Sequence, residues 1–585
     1  MTHDLRSHLT QLLHTALASV APGEADSPIL LERPKQESHG DFACNLAMQL
    51  AKSLKRNPRE LAQLLVSELP PSPWLDKVEI AGAGFINFTF KAAAKTAVVQ
   101  AVLEQGSHYG CASSGKQRKV QIEFVSANPT GPLHVGHGRG AAYGASLASL
   151  LAFAGWQVSR EYYVNDAGRQ MDILAVSTWL RYLEAHHIAL AFPPNGYQGD
   201  YVREMAQQII RAHGDKYVHP MAAAFSGTYS TVPAEDADKE AHLDRLIANA
   251  KDLLGPDWAY VHQHVLTEQL ADGRNDLEEF GVHFDQWFSE KSLFDTGLVA
   301  RCVEQLEKAG HIYLQNGAKW FRSTSFGDEK DRVVQRDNGL FTYFASDIAY
   351  HLNKYERGFD RIINVWGADH HGYIARVKGA LQAINLDPAK LDIALVQFAV
   401  LYRDGQKAAM STRSGEFVTL RELRQEVGND ACRFFYVLRK SDQHLDFDLD
   451  LAKSQSNENP VYYIQYAHAR ICSVIGQYLE QSGSNEAALL QADSSLLTHP
   501  REQALAARLA AFPEVVASAA SDLAPHQIAF YLKDLAADFH SYYNAERMLT
   551  DHADLTAARV ALAAAVRQTI RNGMAILGVS CPASM

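Results

Sequence analysis

Two histidines three residues apart, His134 and His137, stand at the start of a predicted helix and directly after a predicted strand. The segment around them reads ANPTGPLHVGHGRG, with a turn at Pro132 before the pair and with Gly136 and Gly138 close by. Free N–H groups and the dipole at a helix N-terminus favour an anion, and glycines let a phosphate approach the backbone. Two imidazoles on one face add directed donors. The chemistry indicated is phosphate binding.

On the two imidazoles alone, a metal half-site or a pair of surface histidines fits equally well. The turn at Pro132, the glycine between the histidines and the uncharged helix behind them favour a nucleotide.

A second candidate site follows the predicted buried strand RIINVWG, in the segment VWGADHHGY. Gly367 ends the strand, and Asp369 lies at the carboxyl edge of the same sheet, where a carboxylate can accept both hydroxyls of a ribose. A metal site of Asp369 with His370 and His371 is the alternative, but adjacent side chains tend to point apart. We therefore expect ribose binding here.

A third segment, QKAAMSTRSGEFVTL, forms a predicted loop that carries Lys407, Met410, Ser411, Thr412 and Arg413 before a hydrophobic turn. Taken alone, it is typical of a solvated basic loop.

The predicted elements place the first two sites on one sheet. The strand Val120–Ala127, the helix HVGHGRGAAYGASLASLLAFAG and the strand WQVSREYYV form a βαβ unit within about 45 residues, which implies a parallel sheet. Ligands of such sheets bind at the carboxyl ends of the strands, so the site is expected near Ser126–Gly138. The strand RIINVWG and the helix after it complete the sheet.

The fold class expected is α/β: a Rossmann-type parallel-sheet catalytic domain with an insertion, an α+β N-terminal domain and an all-α C-terminal helical bundle. In the N-terminal part, VEIAGAGFINFTF alternates like a strand. The boundaries expected are 1–108 for the N-terminal domain, 109–395 for the catalytic domain with an insertion at about 175–330, 396–455 for the loop and connecting region, and 456–585 for the bundle.

Composition narrows the classes of function. The chain has 585 residues, enough for about four domains, and its formal net charge of −12 does not mark it as a general polyanion binder. Its six cysteines form no CxxC pair, which fits a reducing, cytoplasmic setting. No signal peptide is evident at the N-terminus, and the uncharged stretch from Gly140 to Ser159 is too polar for a membrane span.

In this order and separation, the three sites resemble those of a class I aminoacyl-tRNA synthetase: the HIGH motif at His134–His137, the GxD motif at Gly367–Asp369 and a degenerate KMSKS loop at Ala409–Arg413. The segments SANPTGPLHVGH, YFASDIAYHL, VWGADHHGYI, MSTRSGEFVTL and NPVYYIQYAHARI resemble the arginyl-tRNA synthetase family. An N-terminal block (ERPKQESHGDFACNLA, AGAGFINF) and a closing LGVSCPASM do as well, so the resemblance covers essentially the full chain.

The resemblance implies a two-step reaction. The arginine carboxylate attacks the α-phosphate of ATP to give arginyl-adenylate and pyrophosphate, and the terminal ribose of tRNA(Arg) then takes the arginyl group. ATP is the nucleotide substrate with Mg²⁺, and the enzyme is expected to be cytoplasmic, monomeric and free of membrane contacts. The N-terminal domain would bind the tRNA elbow and the bundle the anticodon.

The resemblance also assigns site residues. The catalytic set is His134, His137, Lys407 and Arg413; the ATP-binding set is Pro132, Gly136, Gly138, Gly367, Asp369, Met410 and Ser411; the arginine-binding set is Glu123, Asn128, Tyr343 and Asp347. Two carboxylates suit a guanidinium, whose five donors need a forked partner. Glu123 as a buried ion-pair partner and Tyr343 as a core aromatic are the alternatives.

The loop departs from the family pattern, because neither lysine of KMSKS is present and no compensating lysine occurs in Pro129–Pro132. Lys407 and Arg413 are the candidate cations for pyrophosphate. For tRNA, Lys52, Lys55, Arg56 and Arg59 form either a phosphate patch or a solvated helix face. Two rival functions remain at this stage: another HxGH-type nucleotidyl transferase, and a catalytically silent tRNA-binding paralogue.

Overall fold

The computed structural model describes residues 5–34, 36, 39–229, 231, 235–408 and 418–585, and its first unit is an α+β domain. The elements are α1 (Leu5–Val20), β1 (Leu31–Glu32), β2 (Phe42–Cys44), α2 (Leu46–Leu50), α3 (Pro58–Ser67), β3 (Leu75–Ala81) and β4 (Phe85–Phe90). The strands form an antiparallel sheet in the order β1-β2-β4-β3. The sheet and helices enclose their own apolar core.

The segment predicted as a single strand, VEIAGAGFINFTF, is the β3–β4 hairpin. Gly82 and Gly84 have positive φ angles of +53° and +137°. Such angles favour glycine, and they let the chain reverse where the alternating pattern alone suggested a continuous strand.

The middle of the chain contains the main sheet and its connections. The elements are α4 (Ala92–Thr96), α5 (Val98–Gln105), β5 (Lys119–Glu123), α6 (Val135–Phe153), β6 (Gln157–Val164), α7 (Arg169–Ala185), α8 (Asp200–His213), α9 (Met221–Ala224), α10 (Asp236–Leu254), α11 (Asp257–Glu279), β7 (Gln286–Ser289), α12 (Lys291–Asp295), α13 (Leu298–Lys308), β8 (Ile312–Gln315), β9 (Ala318–Phe321), β10 (Arg332–Gln335), α14 (Tyr343–Glu356), β11 (Arg361–Gly367), α15 (Ile374–Ala383), β12 (Leu391–Val396), β13 (Ala399–Arg403), β14 (Gln406–Lys407), α16 (Leu420–Val427), α17 (Asn429–Val437), β15 (Leu445–Asp448) and α18 (Leu449–Lys453).

Five strands form the expected parallel sheet, in the order β12-β11-β5-β6-β7. The connection from β5 leads to β6 on one side, while β11 pairs on the other, so the strand order reverses beside β5. In open α/β sheets ligands bind at such a switch point. The carboxyl ends of β5 and β11 therefore face the same crevice.

Helices α7 to α11 form the connection between β6 and β7. The range expected as the insertion, about 175–330, also contains β7, which pairs in the main sheet. Two small sheets, β10-β9-β8 and β14-β13-β15, flank the main one.

The C-terminal unit is the expected helical bundle. It consists of α19 (Pro460–Ser482), α20 (Pro500–Ser521), α21 (His526–Ala545) and α22 (Ala553–Leu577), and α22 also packs against α5 and α6. One apolar core is continuous from the main sheet into the bundle. Within the described residues, α20 alone has the length and composition to cross a membrane, and it packs against α21 and α22.

Candidate active site

Both histidines of the HVGH segment are held by backbone groups of one turn. His134 is the N-cap of α6, and its Nδ1 accepts a hydrogen bond from the Gly136 N–H at 3.1 Å. The Nδ1 of His137 accepts one from the His134 N–H at 3.3 Å, and the two ring centroids lie 3.7 Å apart. Since Nδ1 is the acceptor in each ring, the proton of each neutral imidazole lies on Nε2.

The two imidazoles are neutral at physiological pH. Burial lowers the pKa of His134, and burial together with the neighbouring His134 lowers the pKa of His137 to about 3. A neutral ring protonated on Nε2 is a donor at that atom and offers no lone pair to a metal there. No group of three or more His, Cys, Asp or Glu among the described residues could hold a metal ion. The geometry favours a phosphate donor pair over a metal half-site.

The chain after the KMSKS-like segment, from Val418 onward, is hydrogen-bonded to the start of α6. The Val135 N–H donates to the Val418 carbonyl at 3.1 Å, and the Tyr436 hydroxyl donates to the Val135 carbonyl at 2.9 Å. A Cβ added at Gly138 would lie 2.8 Å from the Tyr436 ring. Gly138 thus makes room for Tyr436, which is a packing function.

A cavity of about 770 Å³ opens in front of the histidines. Its walls come from the loop before α6, from α8 and α11, and from the start of α16. Four predicted site residues line it: Asn128, Pro132, His134 and His137. Ligand pockets fall in this range of volume.

The predicted strand Val120–Ala127 ends earlier, at Glu123. Val125 and Ser126 have φ angles of +67° and +44°, which a β-branched residue rarely adopts. The turn lets the Ser126 hydroxyl donate to Glu123 Oε1 at 3.0 Å, and the Tyr163 N–H donates to Ser126 Oγ at 3.1 Å. Strained backbone of this kind concentrates at functional sites.

Three carboxylates converge beside this turn: Glu123 at the end of β5, Glu290 after β7 and Asp347 on α14. Burial, and then the charges of these three groups, raise the pKa of Tyr163. Burial and the charges of Glu290 and Glu123 raise the pKa of Asp347 to about 7, although the Tyr373 hydroxyl donates to its carboxylate. Burial also raises the pKa of Glu290, whose Oε1 accepts a hydrogen bond from Ser346 at 3.0 Å.

Such a cluster of acids attracts a cation. Within it, Glu123 Oε2 accepts a hydrogen bond from the buried Lys354 ammonium at 2.6 Å, so the ion-pair alternative for Glu123 is realised. The other two carboxylates have neutral hydrogen-bond donors, Tyr373 and Ser346.

The remaining predicted residues lie around the crevice. Gly367 ends β11, and the Asp369 side chain just beyond it is 64% exposed. Tyr343 starts α14 and is exposed, and a Cβ added at Gly168 would lie 3.4 Å from its hydroxyl. Asn128 is also exposed.

Lys407 lies on β14 and lines a second cavity, of about 580 Å³, between β13 and α16. Glu422 lines this cavity and also the one in front of the histidines. The predicted residues Met410, Ser411 and Arg413 lie outside the described residues.

Four residues of this cluster are not among those predicted from the sequence: Glu290, Tyr163, Lys354 and Tyr373. Glu290 had a usable signal, because it is an acidic residue directly after the strand β7, at the same sheet edge as Glu123. Lys354 could have been found from its spacing, because it follows Asp347 by seven residues, two turns along the same helix.

Family models match three parts of the chain. The arginyl tRNA synthetase N terminal domain matches residues 5–90, the catalytic domain of class I (R) tRNA synthetases matches 98–202 and 258–445, and the DALR anticodon binding domain matches 464–585. The fold and the histidine pair thus fit the catalytic domain of a class I aminoacyl-tRNA synthetase.

Full-length relatives identify the family within this class. An arginine–tRNA ligase of Dechloromonas aromatica (strain RCB) is 71% identical over 591 residues, and one of Azoarcus sp. (strain BH72) is 70% identical over 592 residues, with 100% of each chain covered. The Thermus thermophilus arginyl-tRNA synthetase has the same fold, with a TM-score of 0.72 at 23% identity, over 99% of this chain and 100% of that one. The chain belongs to the arginyl-tRNA synthetase family.

Its activity is that of an arginine–tRNA ligase, the ATP-dependent activation of arginine and its transfer to tRNA. The fold class and function expected from the sequence are confirmed, and the two rival functions are not favoured.

Proposed function

We propose that the arginine side chain binds between the carboxylates of Glu290 and Asp347, with Glu123 completing the acidic pocket. The observation that carries this proposal is the convergence of three carboxylates around Tyr163, of which Glu123 and Glu290 are buried and Asp347 is partly exposed, with the pKa of Asp347 and of Glu290 raised. Carboxylates that crowd one another in a desolvated pocket are stabilised by an incoming cation. A planar guanidinium satisfies two carboxylates in a forked geometry that an ammonium cannot reproduce.

The other end of the amino acid is assigned to Asn128, which would bind the α-amino and carboxylate groups. Tyr343, one turn before Asp347 on α14, would cover the aliphatic part. The cavity that Asn128 shares with the histidines supports this placement.

ATP is assigned to the start of α6 and the end of β11. His134 and His137 would donate from Nε2 to the phosphates, beside Pro132, Gly136 and Gly138. Gly367 and Asp369 would hold the ribose. The exposed Asp369 carboxylate, which stands at the carboxyl end of a strand next to β5, supports this role.

The loop residues Met410 and Ser411 complete the proposed ATP site, and Lys407 and Arg413 are the proposed cations for pyrophosphate. Activation then proceeds by attack of the arginine carboxylate on the α-phosphate. Negative charge moves onto the leaving pyrophosphate, and neutral donors already oriented by backbone groups stabilise it without reorganisation.

Mg²⁺ belongs to the proposal as a companion of the ATP phosphates. No cluster of three metal-ligating side chains occurs in the described part of the chain, and we assign Mg²⁺ no protein ligand.

We further propose the domain functions and boundaries given above: 1–108 for the tRNA elbow, 109–395 for catalysis, 396–455 for the loop region and 456–585 for the anticodon, in a cytoplasmic monomer free of membrane contacts. Lys52, Lys55, Arg56 and Arg59 are exposed, as a phosphate patch requires. Tyr462 and Tyr466 are partly exposed and stack on each other, so they could offer a ring face to a base of the anticodon. Tyr542 is buried and donates to Glu502, so it could not.

The pocket is tested by calorimetric titration of arginine into Glu290→Gln, Asp347→Asn and Glu123→Gln. Each variant keeps the shape and removes one charge, and each is expected to weaken arginine binding while ATP binding is retained. Glu356→Gln is the matched control, because that carboxylate lies on α14 but pairs with Arg301 at the surface. Unchanged arginine affinity in all three site variants would place the pocket elsewhere.

A further inference from the structure

Lys354 is completely buried, which is rare for a lysine. Its Nζ donates to Glu123 Oε2 at 2.6 Å and to Asn364 Oδ1 at 2.7 Å, and it lies 4.2 Å from the centroid of the Tyr350 ring. Glu123 and Asn364 are direct partners on the neighbouring strands β5 and β11. The ammonium therefore bridges the two strands at the point where the strand order reverses.

The Glu123 carboxylate is held at both of its oxygens, and Lys354 holds only one of them. Glu123 Oε1 accepts a hydrogen bond from Ser126, which stands in the strained turn after β5. Both carboxylate oxygens thus have a defined partner. Loss of either partner would free the carboxylate to rotate.

One face of α14 carries both Asp347 of the proposed pocket and the Lys354 ammonium. Tyr343, Asp347, Tyr350 and Lys354 follow one another on α14 at intervals of four, three and four residues, which places them along one stripe. Lys354 is therefore carried by the helix that carries Asp347, and it reaches the sheet next to the proposed arginine pocket.

We propose that Lys354 is a positioning residue for arginine recognition: it orients the Glu123 carboxylate and offsets its charge, which limits the repulsion among the three pocket carboxylates. The proposal rests on the proposed arginine pocket and deepens it, because Lys354 acts on the substrate through Glu123 and does not contact it.

The titratable and charged groups around Lys354 and Glu123 come from every packed element. They are Tyr163 and Glu161 on β6, Glu290 after β7, Asp347, Tyr350 and His351 on α14, Arg357 directly after α14, and Tyr373 before α15. Glu161 is held by Arg357 and Tyr350, so its charge is compensated. Burial lowers the pKa of His351 to about 3, so this ring is neutral.

Lys354 is thus the one cation directly paired with any of the three pocket carboxylates among the described residues. Its removal leaves Glu123, Glu290 and Asp347 to repel one another, and like charges raise the pKa of neighbouring carboxylates. With the Glu123 charge no longer offset, Asp347, which is already partly protonated at pH 7, would stay protonated to higher pH. Arginine binding would weaken at neutral pH and recover as the pH rises.

The test is steady-state ATP–pyrophosphate exchange, with tRNA present, by full-length Lys354→Met between pH 6 and pH 9. We expect the KM for arginine at pH 7 to rise about tenfold or more, and the acid limb of kcat/KM for arginine to move up by about one pH unit, since one neighbouring charge shifts a carboxylate by about that amount. The KM for ATP should stay within about twofold, because the contacts of Lys354 with Glu123, Asn364 and Tyr350 include no residue of the proposed ATP site.

Arg361→Met is the matched control. Arg361 bridges the same strand β11 to Asp392 on β12 at 2.7 Å, but near the start of both strands, away from their carboxyl ends. It should leave the arginine KM and the pH profile unchanged. An unchanged arginine KM and an unchanged pH profile in a folded Lys354→Met enzyme would overturn the proposal, because a purely structural ion pair moves only stability.

A buried carboxylate without its partner can prevent folding, so a second test compares Glu123→Gln with Glu123→Gln/Lys354→Met, which removes both charges of the pair. Within the Glu123→Gln background, removal of Lys354 should change the arginine KM by less than about twofold, because residues that act as a unit are not additive. A further rise of about fivefold or more would contradict action through Glu123.

Failure of this inference is distinguishable from failure of the pocket. If Asp347→Asn raises the arginine KM and Lys354→Met does not, the pocket stands and the role of Lys354 is refuted. If neither variant affects arginine, the pocket assignment itself is refuted, and the inference with it.

Discussion

The His137 imidazole accepts a hydrogen bond from the His134 N–H at 3.3 Å while its ring stacks on the His134 ring, with centroids 3.7 Å apart. This arrangement determines the tautomer and the charge of the two rings, which the sequence alone did not. Each ring uses Nδ1 for the backbone, so Nε2 of each is a donor, and both rings are kept neutral by burial.

Replacement of His134 or His137 with Ala should lower the rate of adenylate formation by about 10²–10⁴-fold, because a donor that acts mainly in the transition state is lost. Arginine affinity should change little. Single-turnover measurements separate rate from binding, and an equal loss of both would point to a structural role.

The rate should not follow the titration of His137 near neutral pH, since its pKa is lowered to about 3. On unfolding this ring takes up a proton below its ordinary pKa of about 6.5, so its contribution favours the unfolded state as pH falls from about 6.5. Denaturant unfolding of wild type and His137→Ala at pH 5 and pH 8 measures this: the stability difference should depend on pH in that direction.

Arginine binding should release protons near neutral pH. The pKa of Asp347 is raised to about 7 by burial and by the charges of Glu290 and Glu123, and a guanidinium lowers it again. The pocket without arginine is thus partly protonated at pH 7. Because the pKa of Asp347 is higher in the folded than in the unfolded chain, its protonation stabilises the fold at low pH, and this stabilisation is lost as pH rises through about 7.

Titration calorimetry of arginine at pH 6.5 in two buffers of different ionisation enthalpy detects the release. Wild type should release protons, and Asp347→Asn should release fewer and bind arginine about 2–5 kcal/mol more weakly, as expected for a desolvated charge pair that loses one partner. Identical heats in both buffers would show that no carboxylate titrates on binding.

Two glycines on α6 should respond oppositely to alanine. A Cβ at Gly138 would lie 2.8 Å from Tyr436 and Leu420, whereas a Cβ at Gly140 meets nothing within 4 Å. Gly138→Ala should destabilise the fold by about 1–3 kcal/mol through overpacking, and Gly140→Ala should stabilise it by about 0.5–1 kcal/mol through helix propensity. Denaturant melts compare them. A neutral Gly138→Ala would mean that Tyr436 is free to move.

The loop cations should matter only when the complex is assembled. Lys407→Ala and Arg413→Ala should each slow pyrophosphate exchange with tRNA present by about tenfold or more, while exchange without tRNA is expected to be near background, because tRNA lowers the entropic cost of ordering a long cationic side chain. Full activity in both variants, or brisk exchange without tRNA, would refute this role.

The parts of the fold and site that sequence reasoning reached are those with local signals. The helix at His134, the parallel sheet and the bundle each have a pattern in contiguous residues. Glu290 and Lys354 come close to Glu123 only through the tertiary fold, because β7 pairs with β6 in the same sheet and Lys354 on α14 reaches β5 and β11. The early end of β5 depends on the left-handed turn at Val125 and Ser126, which an apolar run does not reveal.

If the crowded carboxylates around Tyr163 select a guanidinium by its charge, the wild-type enzyme should discriminate between arginine and citrulline, which keeps the length and planar shape and lacks the charge. The affinities of the two ligands can be compared by calorimetry. We expect a preference of about 10²-fold or more for arginine, greatly reduced in Asp347→Asn. Comparable affinities for the two in wild type would contradict selection by charge.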